Sequence, residues 1–331
     1  MTWYWYAALG IAAFIILLLV LGTELLFKFA VVRDDPKKKK ETDADLEENA
    51  EDDVFHVVSS LAPYRKELRE AREKLRGTEY TGYTVTSYDG IELKARLYRP
   101  EGDMRAIVLL MHGYRSNPTH DFACAVDSFF ARGIGCFMPC QRAHAASGGK
   151  YITYGVRERY DVLEWAKLIE REFPGMPVIL DGVSMGASSV LMASELELPS
   201  SVKGIIADCG FTSPGDIFSH VLKADFGMPK LPFFHLAKIP AKLRAGFSFD
   251  EASTKNALMK NTLPVLFIHG DKDQFVPYEM SAVNYGIAKE HCDASLLTVK
   301  GAMHGIAFLV DKESYLRETD KLIAKCIGKS F

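Results

Sequence analysis

A serine suited to covalent catalysis stands between two glycines in the segment Gly182–Gly186, which reads GVSMG. Taken alone, a Gly-x-Ser-x-Gly pattern is too frequent to identify a site. Here the apolar strand Pro177–Leu180 precedes it, and the small residues after it are typical of a helix start. A tight turn between strand and helix holds a serine at an exposed apex. The segment therefore predicts that Ser184 is a nucleophile, with a plain turn as the alternative.

A serine hydroxyl needs a base to remove its proton, and the base needs an acid to orient it. For this type of turn the expected chain order is Ser, then Asp or Glu, then His. The strand Pro264–His269 ends in a polar loop with Asp271 and Asp273, and His304 follows the final strand between glycine-containing turns. We assign His304 as the base and Asp273 as the acid. Asp271 is expected to hold its loop through backbone hydrogen bonds, and Asp208 is a further candidate for the acid.

The reaction also needs two backbone N–H groups to stabilise the oxyanion of a tetrahedral intermediate. Met185, directly after the nucleophile, is assigned as one donor. The loop His112–Asn117 follows an earlier strand, and its Gly113 permits a close backbone approach. The Tyr114 amide is therefore assigned as the second donor. His112 is expected to brace this loop, with a catalytic role as the alternative.

The elements that must position these residues alternate along the chain. Two β-rich runs, Tyr80–Ser87 and Ile91–Tyr98, are joined by a Tyr-Asp-Gly turn that is typical of a hairpin. Apolar strands separated by helices then predict a parallel sheet covered on both faces. The fold class is thus α/β, a mostly parallel twisted sheet with an antiparallel leading hairpin at one edge. The predicted strands are Ala106–Met111, Gly135–Met138, Pro177–Leu180, Gly204–Ala207, Pro264–His269 and Ser295–Val299, with helices near 54–77, 119–132, 156–172, 185–196, 278–290 and 312–327.

Taken in order, these motifs resemble the α/β-hydrolase superfamily, and within it the small-lid branch of serine-aminopeptidase-like and prolyl-oligopeptidase-like hydrolases. The resemblance spans about residues 78–328 and is carried by His112-Gly113, the turn at Ser184, Gly270–Pro277 and His304-Gly305. It implies the α/β-hydrolase fold and a Ser-His-Asp triad. One departure lies in the loop Gln141–Gly149, where Ala143 and Ala145 stand in place of the glycines of relatives. Asp181, before the nucleophile turn, is a second unusual residue.

The segment between Cys209 and Leu263 lies where relatives carry a lid, and the cap is assigned to about residues 211–258. It contains several phenylalanines, which favour an apolar acyl or aryl group over a long peptide as substrate. Phe211, Phe233 and Phe234 are predicted to bind that group. The alternative is that these rings form the core of the cap itself.

The amino-terminal residues 1–32 are assigned as a transmembrane anchor. Trp3–Gly22 is a run of 20 uncharged residues, enough to span the roughly 30 Å hydrocarbon layer as a helix, and its first residues form an aromatic cluster. A signal peptide and a buried core helix are the alternatives. The basic residues Lys28, Arg33 and Lys37–Lys40 all follow the run, which predicts a single-pass protein of the cell membrane with a cytoplasmic catalytic domain. Six scattered cysteines agree with a reducing compartment.

Residues 33–53 are assigned as a disordered charged tether, because 5 basic and 10 acidic residues with almost no apolar ones cannot form a core. A protein-docking tail is the alternative. The remaining residues, 54–331, are assigned to one α/β-hydrolase domain. That domain is nearly neutral, since the chain's net charge of −3 arises in the tether, and this composition does not indicate a partner nucleic acid.

The sequence thus predicts a membrane-anchored serine hydrolase, carboxylesterase- or lipase-like, acting on short-to-medium acyl esters through an acyl-enzyme intermediate. A serine aminopeptidase or amidase acting on amides is the first alternative, and a non-catalytic membrane-bound scaffold is the second. No metal or nucleotide motif is present, so neither metal nor cofactor is expected. Membrane lipid is the expected partner of the amino-terminal helix, and the sequence does not indicate an oligomeric state.

Overall fold

The computed structural model describes residues 2–33 and 61–328. The tether assigned to residues 33–53 lies, apart from Arg33, outside the described residues. So do residues 54–60, the start of a helix expected from Val54. Its described part is a short 3-10 turn, Ala62–Tyr64, followed by helix α2, Arg65–Gly77. Pro63 at the entry of this turn is compatible with a helix start, because its missing N–H would have no partner there.

The centre of the molecule is a single eight-stranded sheet with the order β1-β2-β4-β3-β5-β6-β7-β8. The first two strands form the leading hairpin at one edge, and β2 pairs antiparallel with β4. All other pairs are parallel, so the predicted mixed sheet is confirmed. The strands are β1 Tyr80–Thr86, β2 Glu92–Tyr98, β3 Ala106–Met111, β4 Ile134–Pro139, β5 Val178–Val183, β6 Val202–Asp208, β7 Val265–Gly270 and β8 Ala294–Val299.

Strand β5 is longer than its apolar sequence predicts. The expected strand ended at Leu180, because Asp181 interrupts the hydrophobic run. In the structure Asp181, Gly182 and Val183 continue the parallel ladder with β6. Asp181 is therefore a buried acidic residue within the sheet.

Helices cover both faces of the sheet, as continuous apolar strands require. The helices after α2 are α3 Pro118–Phe130, α4 Glu158–Glu172, α5 Met185–Ala193, α6 Pro214–Ala224, α7 Lys230–Arg244, α8 Thr254–Leu258, α9 Tyr278–Ala288, α10 Ala307–Val310 and α11 Lys312–Ile327. Helices α4, α5 and α9 pack on one face, where Trp165 is fully buried. Helices α2, α3 and α11 pack on the other face. Helices α6, α7 and α8 lie between β6 and β7 in the chain, the segment assigned to the cap.

Helix α1, Thr2–Ala30, is long and apolar enough to cross a membrane. Most of its side chains from Trp3 to Gly22 are exposed. Its last turns differ, because Leu26, Phe27 and Ala30 are buried in a hydrophobic cluster with the cap helices. After the helix, Val32 forms a β-bridge with Tyr151. The helix is thus exposed along most of its length and packed against the globular body at its carboxyl end.

Candidate active site

Ser184 lies at the apex of the turn between β5 and α5, with the strained backbone angles φ 55° and ψ −116°. The flanking glycines make this turn possible. A Cβ on Gly186 would lie 1.8 Å from the carbonyl oxygen of Met111, and one on Gly182 would lie 2.4 Å from the carbonyl carbon of Gly186. Only a residue without a side chain fits at either position. The sequence therefore dictates a sharp turn that holds Ser184 out of the sheet.

The structure brings Ser184, His304 and Asp273 together from three different loops. His304 Nε2 lies 2.9 Å from Ser184 Oγ, and His304 Nδ1 lies 2.7 Å from an oxygen of Asp273. In this arrangement Nδ1–H donates to the carboxylate, so Nε2 is free of a proton and can accept one from the serine hydroxyl. Each loop follows a parallel strand, β5, β7 or β8, which explains how residues 120 positions apart meet at one edge of the sheet.

Asp273 is fixed on all sides as a carboxylate. The amides of Phe275 and Val276 donate to one of its oxygens at 3.0 and 2.9 Å. His269 Nε2 lies 3.1 Å from the other oxygen, which it shares with His304. Burial opposes the charge on Asp273, but His304 and His269 outweigh it and hold its pKa well below the ordinary value.

His304 is buried, and its electrostatics follow from its neighbour. Burial alone would lower its pKa, and the carboxylate of Asp273 reverses this effect, so that the pKa of His304 lies above its ordinary value of 6.5. His269 contacts Asp273 from the other side: its Nδ1 lies 2.7 Å from Ser281 Oγ, and its Nε2 lies 3.1 Å from Asp273 and 2.9 Å from the Val276 carbonyl. His269, in β7, was not predicted as a site residue from the sequence. Its position four residues before Asp273 was the signal that could have identified it.

The two other candidate acids, Asp271 and Asp208, lie outside the hydrogen-bonded series from Asp273 through His304 to Ser184. Asp271 is exposed and accepts a hydrogen bond from the Gly301 amide at 2.6 Å, so it links the loops after β7 and β8. Asp208 is buried at the end of β6, where the Tyr315 hydroxyl bonds to it. Burial raises the pKa of Asp208 to about 6.

Hydrogen bonds hold the loop after β3 beside Ser184. A Cβ on Gly113 would lie 3.5 Å from the Cβ of Ser184, so the backbone of this loop passes close to Ser184. Asp121 of α3 accepts the Gly113 amide at 2.7 Å. Burial opposes its charge, but His120 and His112 outweigh this, and the pKa of Asp121 falls to about 2. Tyr114, the next residue, lines the same pocket as Ser184 and Met185.

His112 braces this loop from below. Its ring is fully buried, with Nδ1 2.8 Å from the Gly113 carbonyl and Nε2 accepting the Gln141 amide at 3.0 Å. His144 makes an equivalent pair of bonds, since Nε2 accepts the Arg115 amide and Nδ1 lies 2.8 Å from the Arg142 carbonyl. Burial lowers the pKa of His144 to about 3. Both rings therefore act as neutral connectors between the loop after β3 and the loop Gln141–Gly149.

The loop Gln141–Gly149 keeps the backbone shape that glycines would give it. Ala143 and Ala145, which stand in place of the glycines of relatives, have positive φ angles of 60° and 39°. Arg142 holds the loop from inside through two bonds of 2.6 Å to Asp161 and one of 2.8 Å to Asp89. Arg33 contacts it from outside, at the carbonyls of Ser147 and Ala145. These contacts offset the strain of two left-handed alanines.

An apolar pocket opens at Ser184. With the space above its mouth included, it encloses about 570 Å³. Phe211 lines it, together with Phe218, Phe226 and Phe275. Phe233 and Phe234 are not among its lining residues. Phe234 instead packs against Phe218 and Phe249 in the interior of the cap, so for this residue the cap-core alternative describes the structure.

Three pocket residues come from helix α1, a segment that the sequence did not connect with the site. They are Leu26, Phe29 and Ala30. The loop after β3 binds the carbonyls of two of them, because Tyr114 Oη lies 2.9 Å from the Ala30 oxygen and Arg115 Nη2 lies 2.5 Å from the Phe29 oxygen. Tyr154 adds a bond of 2.7 Å to Ala30. The end of a helix leaves four carbonyls without helical partners, and here side chains around the site bind those of Phe29 and Ala30.

Asp181 is the buried acid of β5, and its neighbours determine its protonation. Burial and the nearby charge of Asp208 raise its pKa well above the ordinary value. This direction favours the uncharged carboxyl group, the form that is less costly to bury in the interior of a sheet.

Among the described residues, Cys209, Asp273 and His304 form one group of potential metal ligands within 4.8 Å of one another. Asp273 and His304 are already bonded to each other. Burial raises the pKa of the Cys209 thiol well above its ordinary value, and metals bind the thiolate. The group is consequently better suited to proton transfer than to holding a metal.

No protein-family model matches the chain. Among curated proteins, the uncharacterized protein YqkD of Bacillus subtilis is 24% identical over 286 residues, which are 86% of this chain and 88% of YqkD. The monoacylglycerol lipase of Mycolicibacterium smegmatis is 24% identical over 226 residues, which are 59% of this chain and 80% of the lipase.

Solved structures share the architecture. The esterase Pf2001 of Pyrococcus furiosus superposes with a TM-score of 0.61 at 21% identity, over 80% of this chain and 96% of the esterase. Acylaminoacyl peptidases are also among the structures with a similar fold. At this level of identity the likeness establishes the fold of the chain.

Proposed function

Because this chain has the fold of the α/β-hydrolase superfamily, we propose that it is a membrane-anchored serine hydrolase that cleaves carboxylic esters. The continuous hydrogen-bonded series from Asp273 through His304 to Ser184, next to an apolar pocket, carries this proposal. The similarity to a lipase and an esterase supports it.

In the proposed mechanism, Ser184 Oγ attacks the ester carbonyl while His304 Nε2 takes its proton. Asp273 keeps His304 in the required tautomer and stabilises the imidazolium that forms. The backbone amides of Met185 and Tyr114 stabilise the oxyanion. His304 then protonates the leaving alcohol, and a water molecule activated by the same histidine releases the acyl group from Ser184.

The pocket favours an ester over a peptide substrate. An aminopeptidase needs a negative group to bind the substrate's free amine. Among the described residues that line the pocket, none is acidic. An apolar lining next to the nucleophile instead suits an acyl chain, whose burial contributes about 0.8 kcal/mol per methylene group.

Labelling with a fluorophosphonate tests the nucleophile. We expect one labelled site, lost in Ser184→Ala and retained in Ser194→Ala, which removes a serine from the end of the same helix. Labelling that persists in Ser184→Ala would exclude the proposed nucleophile. A panel of acyl esters beside aminoacyl amides then separates the esterase from the amidase, and preferential cleavage of the amides would contradict the ester assignment.

Membrane attachment through α1 is part of the proposal. The helix has 28 residues from Trp3 to Ala30 that satisfy the length and composition of a membrane span. Very little of it is buried inside the globular body, which argues against a core helix of a soluble protein. Extraction of membranes at alkaline pH should leave the full chain in the lipid fraction, and its release into the soluble fraction would contradict the anchor.

A further inference from the structure

The wall of the pocket is shared between the proposed membrane anchor and the cap. Leu26, Phe29 and Ala30 of α1 line the same space as Phe226 of the cap. The rings of Phe29 and Phe226 pack edge to face with their centroids 5.7 Å apart. An acyl chain bound at Ser184 would therefore contact the helix that leads to the membrane.

The length of the helix sets the height of this wall above the bilayer. Helix α1 is continuous from Thr2 to Ala30, and its uncharged run ends at Gly22. Leu26 and Ala30 follow four and eight residues later, which corresponds to roughly 6–12 Å along the axis. The headgroup region on each side of a bilayer is about 5–8 Å thick. The pocket wall thus lies at, or just above, the headgroups.

The cap also exposes side chains that are suited to the headgroup region of a bilayer. Its helix α7 exposes Ile239 and Leu243, one turn apart, with exposed fractions of 53% and 78%. Lys242 lies between them in the chain and is exposed as well. Apolar side chains beside basic ones, in a helix without acidic residues, are typical of helices that lie in a membrane interface.

A salt bridge fixes this cap helix to the anchor. Arg244 of α7 makes two bonds of 2.6 and 2.7 Å to Glu24, the first charged residue after the uncharged run. The Arg244 guanidinium also lies 4.6 Å from the centroid of the Phe27 ring. The exposed face of α7 is consequently held beside the end of the uncharged run of α1.

We propose that the substrate is an acyl ester resident in the membrane, which passes from the lipid leaflet into the pocket along the last turns of α1. The leaflet is the occupant of the exposed apolar face of α7. This inference rests on the proposed serine hydrolase, and it specifies the source of the substrate and the wall that receives its acyl chain. The ester group of such a lipid lies near the headgroups, which is the height derived above for the α1 residues that line the pocket with Ser184.

Raising the catalytic body above the bilayer tests this proposal. A seven-residue insert, Glu-Ala-Ala-Ala-Lys-Ala-Ala, after Gly22 would lengthen the helix by about 10.5 Å and keep its faces aligned to within about 20°. The full chain is reconstituted in phosphatidylcholine vesicles. Its rate on monooleoylglycerol in the same vesicles is compared with its rate on water-soluble p-nitrophenyl acetate.

We expect the insert to reduce the ratio of the two rates at least tenfold. The same insert before Trp3 adds the same residues without raising the body, and should leave the ratio unchanged. Rates are normalised to fluorophosphonate-labelled Ser184. An unchanged ratio with the insert after Gly22 would overturn the proposal.

A point substitution tests the wall itself. Leu26→Trp adds bulk inside the pocket, whereas Leu25→Trp adds it to the neighbouring side chain, which is 68% exposed. We expect only Leu26→Trp to reduce the rate on monooleoylglycerol relative to the acetate. Equal ratios of the two rates in the two variants would contradict a role for α1 in binding the acyl chain. Absence of fluorophosphonate labelling in the wild-type protein would instead refute the proposed nucleophile. Failure of the proposed function is therefore distinguishable from failure of the proposed role of α1.

Discussion

At the scale of single residues, the two acids after β7 have different surroundings and different expected roles. Asp273 faces two histidines and two amides, all of which favour the carboxylate. Asp271, two positions earlier, is exposed and holds only the neighbouring loop through the Gly301 amide. Their side chains are identical, and their surroundings differ completely.

Asp273→Asn is therefore expected to reduce kcat by about 10³- to 10⁴-fold, since an amide cannot hold His304 in the proton-accepting tautomer. Asp271→Asn keeps an oxygen that can accept the Gly301 amide, so its effect should stay below about tenfold. Steady-state rates on a soluble ester measure both. A larger loss in Asp271→Asn would exchange the two roles.

The pH dependence of the reaction should report His304. Its neutral form is the base, and its pKa is raised above 6.5 by Asp273 against the effect of burial. Activity should thus fall as the pH decreases through a midpoint above 6.5, because His304 becomes protonated. In Asp273→Asn burial acts without the opposing charge, and the midpoint should move to lower pH. A profile of kcat/KM between pH 5 and 9 checks this, and an upward movement would contradict the electrostatic assignment.

At the scale of elements, strands and hairpins could be predicted closely from the sequence. The bounds of β3 agree with the prediction, because a six-residue apolar run flanked by loops leaves little choice. The extension of β5 could not be foreseen, since it places the acidic side chain of Asp181 in the interior of the sheet. Burial of a carboxyl group is a tertiary effect that local pattern does not contain.

The triad loops could be located from chain order, because parallel strands place their carboxyl ends at one edge. The part of the pocket wall that α1 contributes could not be located in this way. Leu26 and Phe29 reach the site only through packing against the cap and the loop after β3. The orientation of the cap rings could not be predicted either. Phe211 and Phe234 are both phenylalanines of the cap segment, but only Phe211 lines the pocket, whereas Phe234 packs against Phe249.

The loop Gln141–Gly149 offers a test of backbone strain. Ala145 is exposed and has a φ of 39°, where an L-residue is disfavoured by about 1–2 kcal/mol. Ala145→Gly should relieve this strain, and the greater freedom of glycine in the unfolded chain offsets part of the gain. We expect a net stabilisation of up to about 1 kcal/mol, or up to about 2 °C in Tm for a chain of this size.

Ala131 supplies the matched control, because it is also exposed and has an ordinary φ of −58° at the end of α3. Ala131→Gly should lower Tm. Thermal unfolding in detergent, followed by circular dichroism, compares the two variants. A lower Tm in Ala145→Gly would mean that its positive φ is not strained.

At the scale of the whole molecule, charge and hydropathy are divided along the chain. The uncharged run of α1 precedes every basic residue of the amino-terminal region, including Lys37–Lys40. This asymmetry favours a cytoplasmic body. Trypsin added to intact cells should leave residues 61–328 intact, and trypsin added after permeabilisation should cut the chain. Digestion from outside intact cells would reverse the proposed orientation.

The bonds between the end of α1 and the site have a consequence for how such an enzyme is prepared. A protein produced without its first 33 residues would lack the carbonyls that accept Tyr114, Arg115 and Tyr154. It would also lack the residues of α1 that line one side of the pocket at Ser184. Kinetic constants measured on such a shortened protein would describe a wider, water-filled cleft. Removing α1 would therefore change the candidate active site itself.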